Sequence, residues 1–425
     1  MNVLNKKLDF FHFITVYTIL LFPALLASGS LLVNIFQVVI CFHGIYVLVE
    51  KKVDLRPIFM ILIFLFIYSI IITIFYKNFY FLKNTFVFLK IILFILSFNF
   101  LFKYGFLTLA KVLKTFNIIL LVFLFDTYFQ FFFEKNILGF PIEPNNKVRL
   151  TSFFEGEYVI GGFLFRMFYP LVVFQLIYFK NDKKKFLFFL IIFILLNISI
   201  FLSGERAPLI FITVFFLLSI IFLKYLRKIL ISVSSLVLLL ILVTLSINEK
   251  LKDRFIFQTF EKTLRLSSKS DFKDNFLNNH YSATFIAGYE IWKQNKFFGN
   301  GLRGYRIHSC GMHSNKLVKK IEKISNHGHF ICNTHPHNFV IELLVDLGII
   351  GLVFWLFFLF LIIKEINKMK SNNIKLEIFY GINFLVIFWP LLTHGSMFSS
   401  WNSSFFLFSI GIFFSNHKLF GDKRF

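Results

Sequence analysis

The sequence predicts an all-α polytopic membrane protein of about twelve transmembrane helices with one large extracytoplasmic, mainly helical loop. Three observations predict it. Hydrophobic residues make up 57% of the chain and charged residues 16%, against roughly 45–50% and about 25% in a soluble domain. Apolar runs recur at close to the ~20 residues that cross a bilayer as helix. Lys and Arg gather in alternate connections between those runs, as an ordered membrane topology requires. Phenylalanine alone supplies 68 of the 425 residues, and the composition excludes a water-soluble globule.

The first span follows Lys6 and Lys7 and covers 10–28. It imitates a signal peptide but is long for one, Leu25-Leu26-Ala27 lacks the small-x-small cleavage spacing, and a second run follows at 31–49, so it is expected to stay. Further spans are expected at 57–76, 85–102, 116–133, 159–179, 186–202, 208–223, 229–247, 338–363, 378–393 and 403–415. With the N-terminus inside, the inner segments carry 22 Lys and Arg and the outer loops other than 248–337 carry 6. Both termini are therefore expected on the cytoplasmic side.

Two outer segments stand out by length, 134–158 and 248–337. The chain divides accordingly into helices one to nine over 1–247, an extracytoplasmic loop domain over 248–337, and helices ten to twelve over 338–425. Within the loop, Tyr281 to Lys296 reads as helix and stops at Phe297-Phe298-Gly299, where glycine permits the turn.

The formal net charge of +23 raises nucleic-acid binding, but loop lysines that set topology explain most of it, and no nucleic-acid motif is present. Gly-Asn-Gly-Leu-Arg-Gly at 299–304 fits a dinucleotide pattern, yet it follows a helix rather than a strand and reads as a turn. His308, His313, His327, His329, His335 and His337 cluster with Cys310 and Cys332. Their spacing matches no recognised zinc pattern, and two cysteines in one extracytoplasmic loop favour a disulfide over a metal site or free thiols.

Lys90, Asp126 and Arg166 are charges inside apolar runs, each costing on the order of 2.5–3.5 kcal/mol if unpaired near mid-bilayer. Asp126 and Arg166 lie at equal depth in consecutive antiparallel spans, and a buried ion pair is expected between them. Arg206 sits in the tight outer turn Ser-Gly-Glu-Arg-Ala-Pro with Glu205, and Arg149 in Arg-Leu-Thr before the sixth span. Guanidinium groups at such places suit diphosphate, whose oxygens accept their hydrogen bonds in pairs. Thr334-His335-Pro336-His337-Asn338 runs straight into an apolar helix that carries Glu342 and Asp346 loosely on one face. A histidine there titrates near neutrality, as a general base for a hydroxyl requires.

At this string the sequence resembles the O-antigen ligase and polymerase family of bacterial envelope glycosyltransferases. His337, Asn338, Gly348 and Gly351 meet the family spacing, and Arg149-Leu-Thr, Ser203-Gly-Glu-Arg206 and Phe298-Gly-Asn-Gly301 agree in order and placement. The chain departs from the pattern at Glu205, at Phe153-Phe-Glu-Gly-Glu157, and in the eleven residues between Arg149 and Gly161.

The resemblance implies a transferase at the periplasmic face of the inner membrane, with a polyprenyl-diphosphate-linked glycan as donor and a lipid-linked or growing glycan as acceptor. It implies no cofactor and no metal. His337 and Arg206 become the expected catalytic residues, with Arg149, Glu205, His335, Asn338 and Arg303 binding substrate among membrane lipids. The competing class is a transporter for an anionic or lipid-linked solute, with Lys90, Asp126 and Arg166 along a path; it predicts repeated halves and broken helices near the midplane. A scaffold would need no converging Arg and His.

Overall fold

A computed structural model describes residues 3–50, 57–142, 148–222, 224, 227–263, 280–311, 314–322, 331–368, 381 and 395–414. Among these the chain is helical, without a named strand. The helices are α1 (Val3–Leu20), α2 (Phe22–Ala27), α3 (Ser30–Glu50), α4 (Pro57–Phe75), α5 (Val87–Lys103), α6 (Leu109–Phe133), α7 (Ile160–Tyr178), α8 (Lys183–Leu202), α9 (Arg206–Phe222) and α10 (Arg227–Ile247). They continue with α11 (Glu249–Lys252), α12 (His280–Trp292), α13 (Gly304–Cys310), α14 (Ser314–Glu322), α15 (Phe339–Lys368) and α16 (Ser400–Phe414).

Eight of the described helices are long and apolar enough to cross a membrane, and three shorter ones, Phe10–Leu20, Arg206–Phe222 and Ser400–Phe414, are apolar too. Each expected span falls on a helix except 378–393, which apart from Gly381 lies outside the described residues. α7 is the most enclosed of the eight, with 83% of its apolar window buried against 17% for α10. Its central place fixes Gly161 and Arg166 against the helices around them. Large apolar side chains such as Leu31, Phe42, Leu239 and Phe360 remain exposed on the outer faces of their helices, as a lipid environment allows.

Antiparallel alternation brings the connections at 203–206 and 296–304, the starts of α7 and α15, and the turn before α16 to one end of the bundle. The lysine-rich turn Lys180–Lys185, after α7, is at the other. Outside the bundle, α12, α13 and α14 enclose a small core of Ala283, Ala287, Ile291, Tyr305, Ile321 and Ile331 that reaches α15 through Val345.

Hydropathy shows α15 as one uninterrupted span, but it breaks at Gly348, whose φ of 67° and ψ of −169° are non-helical. The broken turn is filled by the Gly-Asn-Gly segment. Ile349 N donates to Lys296 O at 2.9 Å, Ile350 N to Phe297 O at 3.2 Å, and Asn300 N to Val345 O at 2.8 Å. Gly299 and Gly301 both take φ of 78°, so that sequence serves a backbone docking that only glycine permits. Asn78 Nδ2, donating to Asn300 O at 2.9 Å, ties the same segment to the end of α4. Because protein backbone fills the break, it does not line a transport path of the kind broken helices make.

Candidate active site

The site begins at the turn between α8 and α9. Gly204 has a φ of 71°, and a Cβ there would meet Val148 O and the Arg149 side chain. This close approach lets Leu150 N donate to Ser203 O at 3.3 Å. Arg149 is thereby held on the turn; its Nη2 donates to Tyr158 O at 2.9 Å and its guanidinium lies 4.5 Å from the Tyr158 ring centroid.

Glu205 points the other way, into the start of α7. It accepts from Gly161 N at 2.5 Å and from Gly162 N at 3.4 Å. A helix N-terminus favours a carboxylate, yet burial pushes the Glu205 carboxyl up to about 7, against the lowering effect of the Gly161 amide and the Arg149 guanidinium. The departure from the family pattern at Glu205 thus has a local use: it satisfies amides at the start of the most enclosed helix.

Arg206 opens α9 beside these groups. Arg254, from the π-helical turn Asp253–Thr263, donates from Nε to Gly204 O at 3.2 Å and from Nη1 to Gln258 Oε1 at 2.9 Å. Burial, then the charges of Arg206 and Arg149, pull the Arg254 value down to about 10. Three arginines from separate parts of the chain therefore crowd one turn.

His337 closes the site from the loop before α15. Its φ of 55° is in the left-handed region, uncommon for a residue with a Cβ and found more often at functional positions. Asn333 Nδ2 lies 2.8 Å from His337 Nε2, so the amide is the donor and Nε2 carries the lone pair. The Tyr281 ring stands edge-on to His337 with centroids 5.7 Å apart, and His335 lies 4.5 Å away on the same measure. Tyr281 also bears electrostatically on Arg254. Arg149, Arg206, Arg254, Tyr281 and His337 therefore form one neighbourhood.

The other expected residues have distinct places. Asn338 is buried, and its Oδ1 accepts from Val340 N at 3.0 Å and Ile341 N at 3.1 Å, capping α15. Glu342 accepts from Ser396 Oγ at 2.5 Å and Met397 N at 3.1 Å, and Asp346 from Arg303 N at 2.9 Å. These two carboxylates hold the site together rather than facing His337. Arg303 donates from Nη1 to Thr334 O at 3.2 Å and lines a cavity of about 370 Å³ together with His335.

The expected Asp126–Arg166 pair does not form. Asp126 accepts from Ile137 N at 2.8 Å and Ser152 Oγ at 2.5 Å, fastening the loop after α6. Arg166 Nη1 donates to Asn402 Oδ1 at 2.8 Å and its guanidinium lies 5.6 Å from the Phe405 ring centroid. Equal depth fixes the height of two side chains but not the direction each faces. Cys310 and Cys332 are bonded, with Cα atoms 4.7 Å apart, within the reach a disulfide needs. His313, His327 and His329 lie outside the described residues, and among the described ones no group of three or more His, Cys, Asp and Glu is placed to hold a metal.

A family model described as O-antigen ligase matches residues 189–356. Over those residues the chain is similar to the O-antigen ligase family. No curated protein matches the chain. The matched stretch runs from α8 past the break in α15, so it holds Arg206, Arg254, Tyr281, Arg303, His335 and His337. Arg149 lies before it and joins the matched residues through the Gly204 turn. Arg254, Tyr281 and Asn333 escaped the sequence reading. For Arg254 a signal existed: an arginine just after an apolar span on the side where arginine is disfavoured, the same reason that singles out Arg206.

Proposed function

We propose that the protein is a membrane glycosyltransferase of O-antigen ligase type, moving a glycan from a polyprenyl-diphosphate carrier to an acceptor hydroxyl at the periplasmic face of the inner membrane. The carrying observation is the crowding of Arg149, Arg206 and Arg254 around the Gly204 turn, with the Tyr281–His337 pair beside them.

In this reading the acceptor oxygen attacks the anomeric carbon as His337 Nε2 takes the hydroxyl proton, releasing its hydrogen bond to Asn333. The bond from the anomeric carbon to the diphosphate breaks, and its electron pair leaves with the diphosphate. Arg206 and Arg254, with Arg149 behind them, balance the charge that grows there. Charge-assisted bonds from guanidinium groups match phosphate oxygens in geometry, so the donor requires no divalent cation. Glu205 and Asn338 position the site through the starts of α7 and α15, while Arg303 and His335 face the acceptor.

About twelve spans with both termini cytoplasmic, divided at 247 and 337 by the outer loop, complete the proposal. Glycan transfer by the purified protein, with a synthetic polyprenyl-diphosphate donor and chelator present, tests it. Transfer by wild type and transfer slowed about 10²- to 10⁴-fold in His337→Ala are expected; equal rates, or activity lost in chelator and restored by metal, overturn the mechanism.

A further inference from the structure

The segment docked into the break of α15 carries two phenylalanines into the depth of the bundle. α4 has 19 residues, about 28 Å at 1.5 Å per residue, close to the whole ~30 Å hydrocarbon layer. Tyr68 lies seven residues before its end, about 10 Å in, and its hydroxyl stands 3.1 Å from Phe298 O and 2.9 Å from Leu347 O. Phe297 and Phe298 are therefore held at hydrocarbon depth, and both side chains are exposed. Lys296 O accepts from Ile349 N and Trp292 Nε1, Phe297 O from Ile350 N, and Phe298 O from Tyr68. Satisfied carbonyls are what a segment against lipid tails requires.

Higher up the same segment the chemistry changes. Trp292 and Tyr289, with ring centroids 5.7 Å apart, lie at the end of α12, and Lys293 Nζ stands 4.3 Å from the Tyr289 centroid. Trp and Tyr gather where hydrocarbon meets headgroups, and lysine reaches up from there. Beside them α12, α13 and α14 wall a cavity of about 590 Å³. Lys293, Lys316, Lys320 and His308 line it, and among the described residues Glu290 is its one carboxylate. Glu290 accepts from Lys293 Nζ at 3.1 Å and from Lys320 Nζ at 2.5 Å, which fixes two ammonium groups and leaves donors on each. Three lysines against one carboxylate leave the cavity cationic. Glu290 precedes Phe297 by seven residues, about 10 Å at helical rise, the same distance that Tyr68 lies inside α4. The cavity is thus level with the boundary between hydrocarbon and headgroups.

The two halves together narrow the occupant. A soluble anion would use the lysines and leave the phenylalanines without a role; an apolar partner would do the reverse. We infer that this cavity is a headgroup site for an anionic glycerophospholipid, with phosphate held by Lys293, Lys316 and Lys320 and acyl chains lying on Phe297 and Phe298. The lipid is not a substrate here. None of Arg149, Arg206, Arg254, His335 and His337 lines the cavity, and the inference rests on the membrane spans rather than on the transfer chemistry. The bound lipid ties α12, α13 and α14 to the bilayer and, through the docked segment, to the break in α15.

The test uses the full chain in phosphatidylcholine nanodiscs with fluorescent phosphatidylglycerol as probe. Lys293→Gln/Lys316→Gln is the variant, since both side chains are exposed and Glu290 keeps Lys320. Lys252→Gln/Lys319→Gln removes the same charge from exposed positions outside the cavity. Wild type and this control are expected to bind the probe alike and the cavity variant about 10-fold more weakly, as loss of a charge-assisted bond predicts. Lys293→Arg/Lys316→Arg should bind as wild type does, which separates lost charge from lost folding. Soluble glycerol phosphate should not displace the probe. Equal binding by wild type and cavity variant overturns the site, as does an equal loss in the control, which would assign the attraction to surface charge at large. Equal losses in the Arg and Gln variants overturn the role of the charges. Full displacement by glycerol phosphate overturns the lipid in favour of a soluble anion. Binding needs no turnover, so each result stands apart from the His337→Ala assay.

Discussion

Tyr281 stands edge-on to His337 with ring centroids 5.7 Å apart, and the same phenol bears electrostatically on Arg254. The proposed base and leaving-group cations are thus joined through one aromatic side chain of α12. His337→Ala is expected to lower kcat by about 10²- to 10⁴-fold, the usual contribution of a positioned base. Tyr281→Phe keeps the ring against His337 and should cost far less than Tyr281→Ala. Single-turnover transfer rates for the three variants check this order.

Arg254 joins the site through the Gly204 carbonyl and stands close enough to Arg206 and Arg149 for their charges to depress its own. Three cations held this close repel one another unless an anion lies between them. Arg254→Gln and Arg206→Lys are therefore both expected to impair turnover, the latter because the planar fork is lost while the charge remains. Each is expected to raise thermal stability of the unliganded protein slightly or leave it unchanged. Scanning calorimetry beside kcat measurements separates the two effects, and a fall in both would point to a structural role.

Glu205 gives the site a pH signature. Burial lifts its folded value from 4.5 to about 7, so the folded state holds this proton more tightly than the unfolded one. Its contribution to stability is fully present below about pH 4.5, is lost as pH rises through 7, and is flat beyond. Glu205→Gln keeps an oxygen acceptor for Gly161 N and removes the titration. The difference in melting temperature between variant and wild type should widen in the variant's favour from pH 5 to pH 8, by a few degrees.

The apolar helices were legible because bilayer thickness sets run length. Arg206 and His337, which the structure sets near one another, stood out in the sequence because each breaks a local rule, an arginine in an expected outer turn and a histidine heading an apolar helix. Facing direction was not legible, which is why Asp126 and Arg166 went to Ser152 and Asn402 instead of each other. Nor was the use of Asn338, Glu342 and Asp346 as caps and ties, since a polar residue at a helix start reads the same whether it caps or binds. The break at Gly348 was hidden too, because hydropathy averages over a residue that interrupts the hydrogen bonds and not the apolar run.

The Cys310–Cys332 bond closes a 22-residue separation just before Asn333 and His337. Reduction, or Cys310→Ser/Cys332→Ser, should destabilise the outer cap by about 3 kcal/mol through the freed chain entropy. It should also loosen Asn333, which orients His337 Nε2. Transfer activity is expected to fall on treatment with dithiothreitol and return on reoxidation, while the double serine variant shows the lower activity throughout.

Gly348→Ala is expected to be the most damaging single change away from the chemical groups. A Cβ at this position meets the Phe297 carbonyl and Gly299 N, both backbone atoms that cannot swing aside, and the conformation with φ of 67° and ψ of −169° is essentially restricted to glycine, at about 1–3 kcal/mol for other residues. The chain can escape only by straightening α15, which gives up the bonds from Ile349 to Lys296 and from Ile350 to Phe297. The Gly-Asn-Gly segment then leaves α15, and with it the Arg303 amide leaves Asp346, so the wall of the cavity lined by Arg303 and His335 moves. Gly139→Ala provides the comparison, since Gly139 also has a positive φ, 89°, but open space around its Cβ; it carries the backbone strain without the collision. Melting temperature should drop several degrees further in Gly348→Ala than in Gly139→Ala, with acceptor KM raised only in the former. Equal losses in the two would mean that the docked segment does not depend on the break in α15.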